Sequence, residues 1–195
     1  MMKCLARGTV ILLVASLALQ GGPVLAADYT TQLTELAKGK IKEFAENPVV
    51  VAAVVAQNAQ TAAYDQAKID SMDKQWMAEV DAADKPLITA TMGTDAAKFL
   101  KKVQDDSQGL YTEIFATDDK GLNVAQSSVT SDYWQGDEDK FSKTFSVGPD
   151  AVFLGKVEQD ESTQQFQQQV SITIDDPATG KPIGSITVGV NLADL

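Results

Sequence analysis

The chain has 195 residues, with 27 Asp and Glu against 16 Lys and Arg, no His and one Cys. Its only Arg (Arg7) and only Cys (Cys4) precede residue 27, so the remainder lacks side chains that most catalytic bases, nucleophiles and soft metal sites need. A net charge of −11 also disfavours nucleic acid and anionic membranes. We therefore expect a binding or scaffolding protein, without enzyme activity, cofactor or metal.

Residues 1–26 have the pattern of a cleavable secretory signal peptide. Lys3 and Arg7 form a positive n-region, and an apolar core over 10–19 leads to the small-residue end at Ala26. An uncleaved anchor is the alternative, but it needs roughly 20 apolar residues. We expect cleavage after Ala26 and export to a periplasm. Loss of two cations then makes the net charge of −11 more negative by two.

The first part of the mature chain, residues 27–108, is expected to be helical. Apolar residues at spacings of three and four predict one amphipathic helix, and they are Leu33, Leu36, Ala37, Ile41 and Phe44. Asn47-Pro48 should break or kink this helix, because proline lacks a backbone donor. The Val/Ala-rich run that follows is also interpreted as helix, since Ala and Gln surround it.

Two further helical pieces are predicted before residue 108. The first covers about 65–80, and Pro86 is expected to end that section. Thr94 or Asp95 can cap the second through its side-chain oxygen.

From residue 109 the apolar period changes to two, which is typical of strands. The predicted strands cover 111–117, 122–127, 152–158, 166–174 and 183–192. About five antiparallel strands behind a long N-terminal helical segment give an α+β layer fold. Residues 109–195 are thus interpreted as the sheet and a pocket-lining loop of the same domain as 27–108.

The last two strands have one apolar face, which the helices must cover. The opposite face is small and polar, with Ser171, Thr173 and Thr187 among its members. Two interpretations remain open. This face is either an ordinary exposed sheet surface, or the floor of a cavity in which hydroxyl groups orient a ligand.

The polar stretch 128–148 supplies a candidate roof for such a cavity. It contains Asp132, Tyr133 and Trp134, two aromatic rings beside a carboxylate, a combination that can enclose an ammonium group. The alternative is a loop that Trp134 pins to the core.

The order of these elements resembles a single Cache domain, the PAS-like extracytoplasmic sensor fold also called PDC. The resemblance covers about residues 30–195. It depends on the helix with its Asn-Pro break and on four later segments, 111–121, 123–127, 131–138 and 184–190.

The resemblance implies a small-molecule pocket on one side of the sheet and the long helix on the other. The segment between the second and third strands lines the pocket in such sensors, which assigns ligand contacts to Asp132, Tyr133 and Trp134. A late carboxylate, Glu158 or Asp160, is expected to meet a ligand amine.

The chain departs from amino-acid-sensing members of this family in having no Arg to clamp a ligand carboxylate. Lys140, Lys143 or Lys156 would act instead as less directional charges, which favours amines over amino acids. The sequence also stops at Leu195, directly after the last predicted strand, without a signalling module. We therefore expect a free-standing periplasmic form that acts with a membrane receptor or histidine kinase, and that can dimerise through its N-terminal helix.

Two functions remain open at this point. The first is a sensor-type module that binds a cationic or zwitterionic ligand and reports to a separate signalling or transport partner. The second is an interaction or structural protein that keeps the Cache fold without a ligand. The second function predicts an exposed apolar stripe on the long helix.

Overall fold

The computed structural model describes residues 28–159 and 165–195. The predicted signal peptide with its cleavage site and the candidate ligand residue Asp160 lie outside these described residues. Within the two described ranges, no helix combines the length and apolar character needed to cross a membrane.

The predicted amphipathic helix forms over residues 30–45, but it is not α-helical throughout. Helix α1 (Thr30–Leu36) continues through a π-helical turn (Ala37–Ile41) into α2 (Lys42–Ala45). Leu33, Ala37 and Ile41 are fully buried in the core of this chain. The apolar stripe of the helix is therefore already covered, and a partner that docks on the helix would meet its other face.

Four further helices precede the sheet. They are α3 (Pro48–Thr61), α4 (Gln66–Val80), α5 (Pro86–Met92) and α6 (Asp95–Asp106). The Val/Ala-rich run is helical as predicted, because Asn47 Oδ1 accepts a hydrogen bond from Val49 N at 3.0 Å and Pro48 occupies the first helical position.

Thr94, and not Asp95, is the N-cap of α6, where its Oγ1 accepts a hydrogen bond from Ala97 N at 3.1 Å. The prediction for Pro86 is wrong. Pro86 begins a helix, since a backbone N–H at the first helical position has no acceptor within the helix and its absence in proline costs no hydrogen bond.

The sheet has the five predicted antiparallel strands. They are β1 (Tyr111–Thr117), β2 (Asn123–Gln126), β3 (Val152–Gln159), β4 (Phe166–Asp176) and β5 (Lys181–Asn191), with α7 (Asp139–Ser142) between β2 and β3. Their spatial order is β2-β1-β5-β4-β3. This α+β architecture, with the long helix on one face, agrees with the PAS-like Cache fold that the sequence predicts.

The main core lies between the helices and the apolar face of the sheet, as predicted. Residues from β4, β5, the long helix, α3 and α6 are buried together there, among them Val170, Ile172, Ile174, Ile186, Val188, Leu33, Val54 and Leu100. Each such side chain contributes about 1.5–3 kcal/mol when fully buried.

A second, smaller core holds α4 and α5 against the loop after β2. Its buried members are Ile69, Trp76, Ile88, Leu122 and Tyr133, with Trp134 packed at its edge. This cluster positions the loop that the sequence marks as a candidate ligand-contacting segment.

Candidate functional site

A single row of side chains crosses the polar face of the sheet. Strand register pairs Phe115 with both Gln126 and Thr187, Thr187 with Ser171, and Ser171 with Phe153. Residues paired across antiparallel strands point to the same face, so these five side chains form one line across the floor. Ser171 Oγ and Thr187 Oγ1 share a hydrogen bond of 2.9 Å within it.

A second row lies beside the first and is also polar. Thr117 Oγ1 and Ser185 Oγ are 2.8 Å apart, and Thr173 Oγ1 donates to the Gly148 carbonyl at 2.8 Å. Ser171, Thr173 and Thr187 are 0%, 5% and 1% exposed. The exposed-surface interpretation of this face is therefore wrong. The face is a covered floor whose hydroxyl groups are hydrogen-bonded to each other or to backbone.

The cover over this floor comes largely from α7. Lys140 Nζ lies 5.2 Å from the centre of the Phe115 ring, and Lys143 Nζ lies 4.9 Å from that of Phe153. Lys140 also pairs with Glu138 at 3.0 Å, and its side chain is only 14% exposed. Two lysines thus stand over the two aromatic rings of the floor row, where cation–π attraction helps to hold them.

Beside this cover, polar side chains of β2 and the following loop form a buried cluster, which we call the amide cluster (Asn123, Gln126, Thr130, Asp132 and Gln135). Asn123 Nδ2 donates to Thr130 Oγ1 at 2.9 Å and to the Asp132 carbonyl at 3.0 Å. Gln135 Nε2 donates to Asp132 Oδ1 at 2.5 Å. Asp132 therefore accepts hydrogen bonds from both Asn123 and Gln135.

Three amide atoms of this cluster have no hydrogen-bond partner among the described residues. They are Asn123 Oδ1, Gln126 Nε2 and Gln135 Oε1, and their residues are 0%, 0% and 1% exposed. An unsatisfied buried polar group costs about 1–3 kcal/mol, so such groups mark places where a water or a ligand completes the bonding. The cluster offers two acceptors and one donor to such a molecule.

The loop that carries Asp132 is clamped to the β1–β2 turn. Gln135 N donates to the Gly121 carbonyl at 2.7 Å, and Trp134 Nε1 donates to the Lys120 carbonyl at 2.8 Å. Gly121 has a φ of +81°, and a Cβ there would lie 2.5 Å from the Cα of Gly136. Both glycines are therefore needed for this close approach of two backbones.

The two aromatic residues of the predicted site belong to the second core. Tyr133 stacks on Trp76, and burial raises the pKa of its phenol. Tyr133 N and Trp134 N donate to Asp73 Oδ1 at 2.9 and 3.0 Å. Within the described residues, these contacts turn the two rings towards α4 and the β1–β2 turn, away from the floor hydroxyls.

The predicted site residues thus fall into separate places. Asp132 lies in the amide cluster, Ser171, Thr173 and Thr187 lie on the floor, and Glu158 is exposed on the edge strand β3 opposite Gln167. Asn123, Gln126 and Gln135 were not singled out as ligand residues from the sequence. A usable signal was the uncharged β2 segment, which carries two amide side chains, those of Asn123 and Gln126.

Comparison with known proteins gives similarity to solved structures only. No family model matches the chain, and no curated protein matches it in sequence. One similar structure is the sensor domain of the V. cholerae histidine kinase DctB, with 13% identity over 86% of this chain and 59% of that domain, at a TM-score of 0.39.

Two chemoreceptor domains are also similar. The ligand-binding domain of Campylobacter jejuni Tlp3 with 4-methylisoleucine has 14% identity over 85% of this chain and 63% of its own length, at a TM-score of 0.39. The ligand-binding domain of the Pseudomonas aeruginosa amino acid chemoreceptor PctC with GABA has 12% identity over 84% of this chain and 60% of its own length, at a TM-score of 0.35. The chain spans less than two thirds of each of these domains.

Proposed function

We propose that this chain is an exported, sensor-type domain that binds a small molecule between the amide cluster and the floor row. The observation that carries the proposal is the group of three unpartnered amide atoms, Asn123 Oδ1, Gln126 Nε2 and Gln135 Oε1, whose residues are joined into one cluster by hydrogen bonds to Thr130 and Asp132. Binding, and not turnover, is the proposed activity.

The ligand chemistry follows from the groups available. Asn123 Oδ1 and Gln135 Oε1 accept hydrogen bonds, and Asp132 adds a carboxylate, so this side suits an ammonium group. Gln126 Nε2 donates and suits a hydroxyl or carboxylate. A cationic or zwitterionic amine therefore fits better than an organic acid.

Access requires movement of the loop, because the three amide atoms are shielded from solvent. A ligand reaches them when residues 128–138 lift from β2. Such a movement is a change that a separate partner can detect. We propose a membrane receptor or histidine kinase as that partner, in a periplasm, after cleavage behind Ala26.

The test is calorimetry and thermal unfolding of residues 27–195 with panels of amines, amino acids, organic acids and calcium. We expect one amine or amino acid to bind saturably and to raise the melting temperature. Gln135→Met should weaken that binding at least tenfold in a chain that still folds, because it removes the unsatisfied Oε1 acceptor at similar volume. It also removes the Nε2 bond to Asp132, so a loss of stability of about 1–3 kcal/mol is expected. Gln60→Met, on an exposed position of α3, is the matched control.

Trp134→Ala examines the loop itself. Loss of the Lys120 clamp should abolish binding while the main core stays folded. Unchanged binding in both Trp134→Ala and Gln135→Met would overturn the site. The absence of any ligand across the panels would favour the interaction protein without a ligand, whose internally paired floor hydroxyls need none.

A further inference from the structure

A cavity of about 350 Å³ lies on the helix side of the sheet, away from the amide cluster. The π-helical turn and the start of α2 form one wall, and β3, β4 and the residues before β3 form the other. The residues used below are Lys38, Lys42, Asp150, Val152, Ile172 and Asp175. Small-molecule sites have volumes of roughly 300–1,000 Å³, so an amino-acid-sized molecule fits this one.

The charged residues of the cavity divide into a satisfied pair and an unsatisfied pair. Lys42 Nζ forms an ion pair with Asp150 and lies 3.6 Å from Glu46 Oε1. Lys38 makes no side-chain hydrogen bond or ion pair within the described residues, although its charge helps to lower the pKa of Asp150. The unsatisfied pair therefore consists of the ammonium group of Lys38 and the carboxylate of Asp175, which carry opposite charges.

Asp175 is the buried member of this unsatisfied pair. It is 8% exposed, and its Oδ1 has no hydrogen-bond partner among the described residues. Its Oδ2 accepts only a long bond of 3.3 Å from Asp150 N. A small rotation of the carboxyl group towards the cavity would therefore break only this weak hydrogen bond. A donor in the cavity would then form a hydrogen bond with the Asp175 carboxylate.

The desolvated state of Asp175 has an electrostatic consequence. Burial raises its pKa, the hydrogen bond from Asp150 N lowers it, and the Asp150 carboxylate raises it further. A cation placed beside Asp175 would offset this burial cost.

We propose that this cavity is a second binding site, for a small aliphatic zwitterion whose ammonium group meets Asp175 and whose carboxylate meets Lys38. Val152 and Ile172 supply the apolar wall for its carbon chain. This proposal does not depend on the function proposed above, because the cavity lining includes Thr173 of the floor but no residue of the amide cluster or of the floor row.

The test uses calorimetry of residues 27–195 with L-alanine, L-valine and L-leucine, in the parent and in Gln135→Met. We expect saturable binding of at least one of the three that survives in Gln135→Met. Removal of one ligand charge, with isobutylamine or isovalerate in place of L-valine, should weaken binding at least tenfold. Asp175→Asn and Lys38→Gln should each weaken binding about tenfold.

Lys40→Gln, on the same π-helical turn, and Asp81→Asn, at an exposed position, are matched controls that should bind as the parent does. Lys38 is exposed, so Lys38→Gln remains a valid test if Asp175→Asn fails to fold. Unchanged affinity in Lys38→Gln, or no binding of any of the three amino acids, would overturn the second site. Binding lost in Gln135→Met but kept in Asp175→Asn would assign it to the amide cluster alone.

Discussion

The ring of Tyr133 lies nearly parallel to that of Trp76, with 5.3 Å between the ring centres and 28° between the planes. Trp76 is fully buried, and its Nε1 donates to the Thr130 carbonyl at 2.9 Å. One tryptophan on α4 therefore holds residues on both sides of Asp132. The position of the amide cluster thus depends on α4 as well as on the sheet.

Replacement of Trp76 should reveal how much this contact stabilises the fold. Trp76→Ala is expected to lower the free energy of unfolding by about 3–5 kcal/mol, because a large buried side chain leaves a cavity. Trp76→Phe keeps a ring against Tyr133 and loses the bond to Thr130, so about 1–2 kcal/mol is expected. Urea unfolding measures both. Met77→Ala, at the exposed neighbouring position, should change stability by less than about 0.5 kcal/mol.

Asp73 should control the local opening of the site loop. Asp73→Ala removes the acceptor for Tyr133 N and Trp134 N, so these two amides should exchange with solvent at least tenfold faster. NMR measures the hydrogen exchange rate of each of these two amides separately. Asp70→Ala, one turn earlier on α4 and exposed, is the control. Equal protection in both variants would show that the loop is held without Asp73.

Asp118 should be among the most sensitive carboxylates to substitution. It is fully buried, and its oxygens accept hydrogen bonds from Lys120 N, Leu122 N, Thr61 Oγ1 and Gln57 Nε2. Asp118→Asn places an amide donor against donors, and a loss of about 2–4 kcal/mol is expected. Chemical unfolding measures it, with exposed Asp119→Asn as control. A loss below about 1 kcal/mol would contradict this account.

Glu79 should contribute a pH-dependent part of stability. Its burial raises the pKa, but hydrogen bonds from Ile88 N, Gln75 and Leu87 N outweigh that effect, so the pKa lies below its usual value. The contribution is fully present above the unfolded-state pKa of about 4.3 and is lost as pH falls through the folded-state pKa.

Thermal unfolding at pH 7 should therefore show Glu79→Gln melting below the parent. The difference should shrink as pH falls from 7 through the folded-state pKa of Glu79, below which the parent carboxyl is also protonated. A constant difference across this range would mean that the Glu79 charge does not matter. Glu35→Gln, at an exposed position of the long helix, provides the comparison.

Most elements of the fold could be predicted from the sequence because local rules and tertiary packing agree in them. The amphipathic spacing from Leu33 to Phe44 and the alternation in β4 and β5 each place apolar side chains on one face. Pro86 shows the limit of a local rule. Proline is compatible with both the end and the start of a helix, and only the packing of Ile88 in the second core decides between them.

The site was less predictable, because its geometry depends on contacts between distant segments. Tyr133 and Trp134 are aromatic residues next to carboxylates, which suggested a ligand cage. Their actual neighbours are Trp76 and Lys120, and nothing local to residues 131–138 specifies those partners. Similarly, the unpartnered state of Gln126 Nε2 results from strand register and the covering loop, neither of which a spacing pattern contains.

The π-helical turn Ala37–Ile41 gives the long helix one residue more than a regular α-helix would need to join the same two ends. Leu33 and Phe44 lie on either side of that turn, and both are buried. Gly39 lies in the turn, and a Cβ there would meet no atom within 4 Å other than its chain neighbours and the backbone of its own helix. Deletion of Gly39 would thus remove the extra residue and restore an uninterrupted α-helix without rotating either flanking segment, so the π-helical turn marks a position at which this helix can lose a residue.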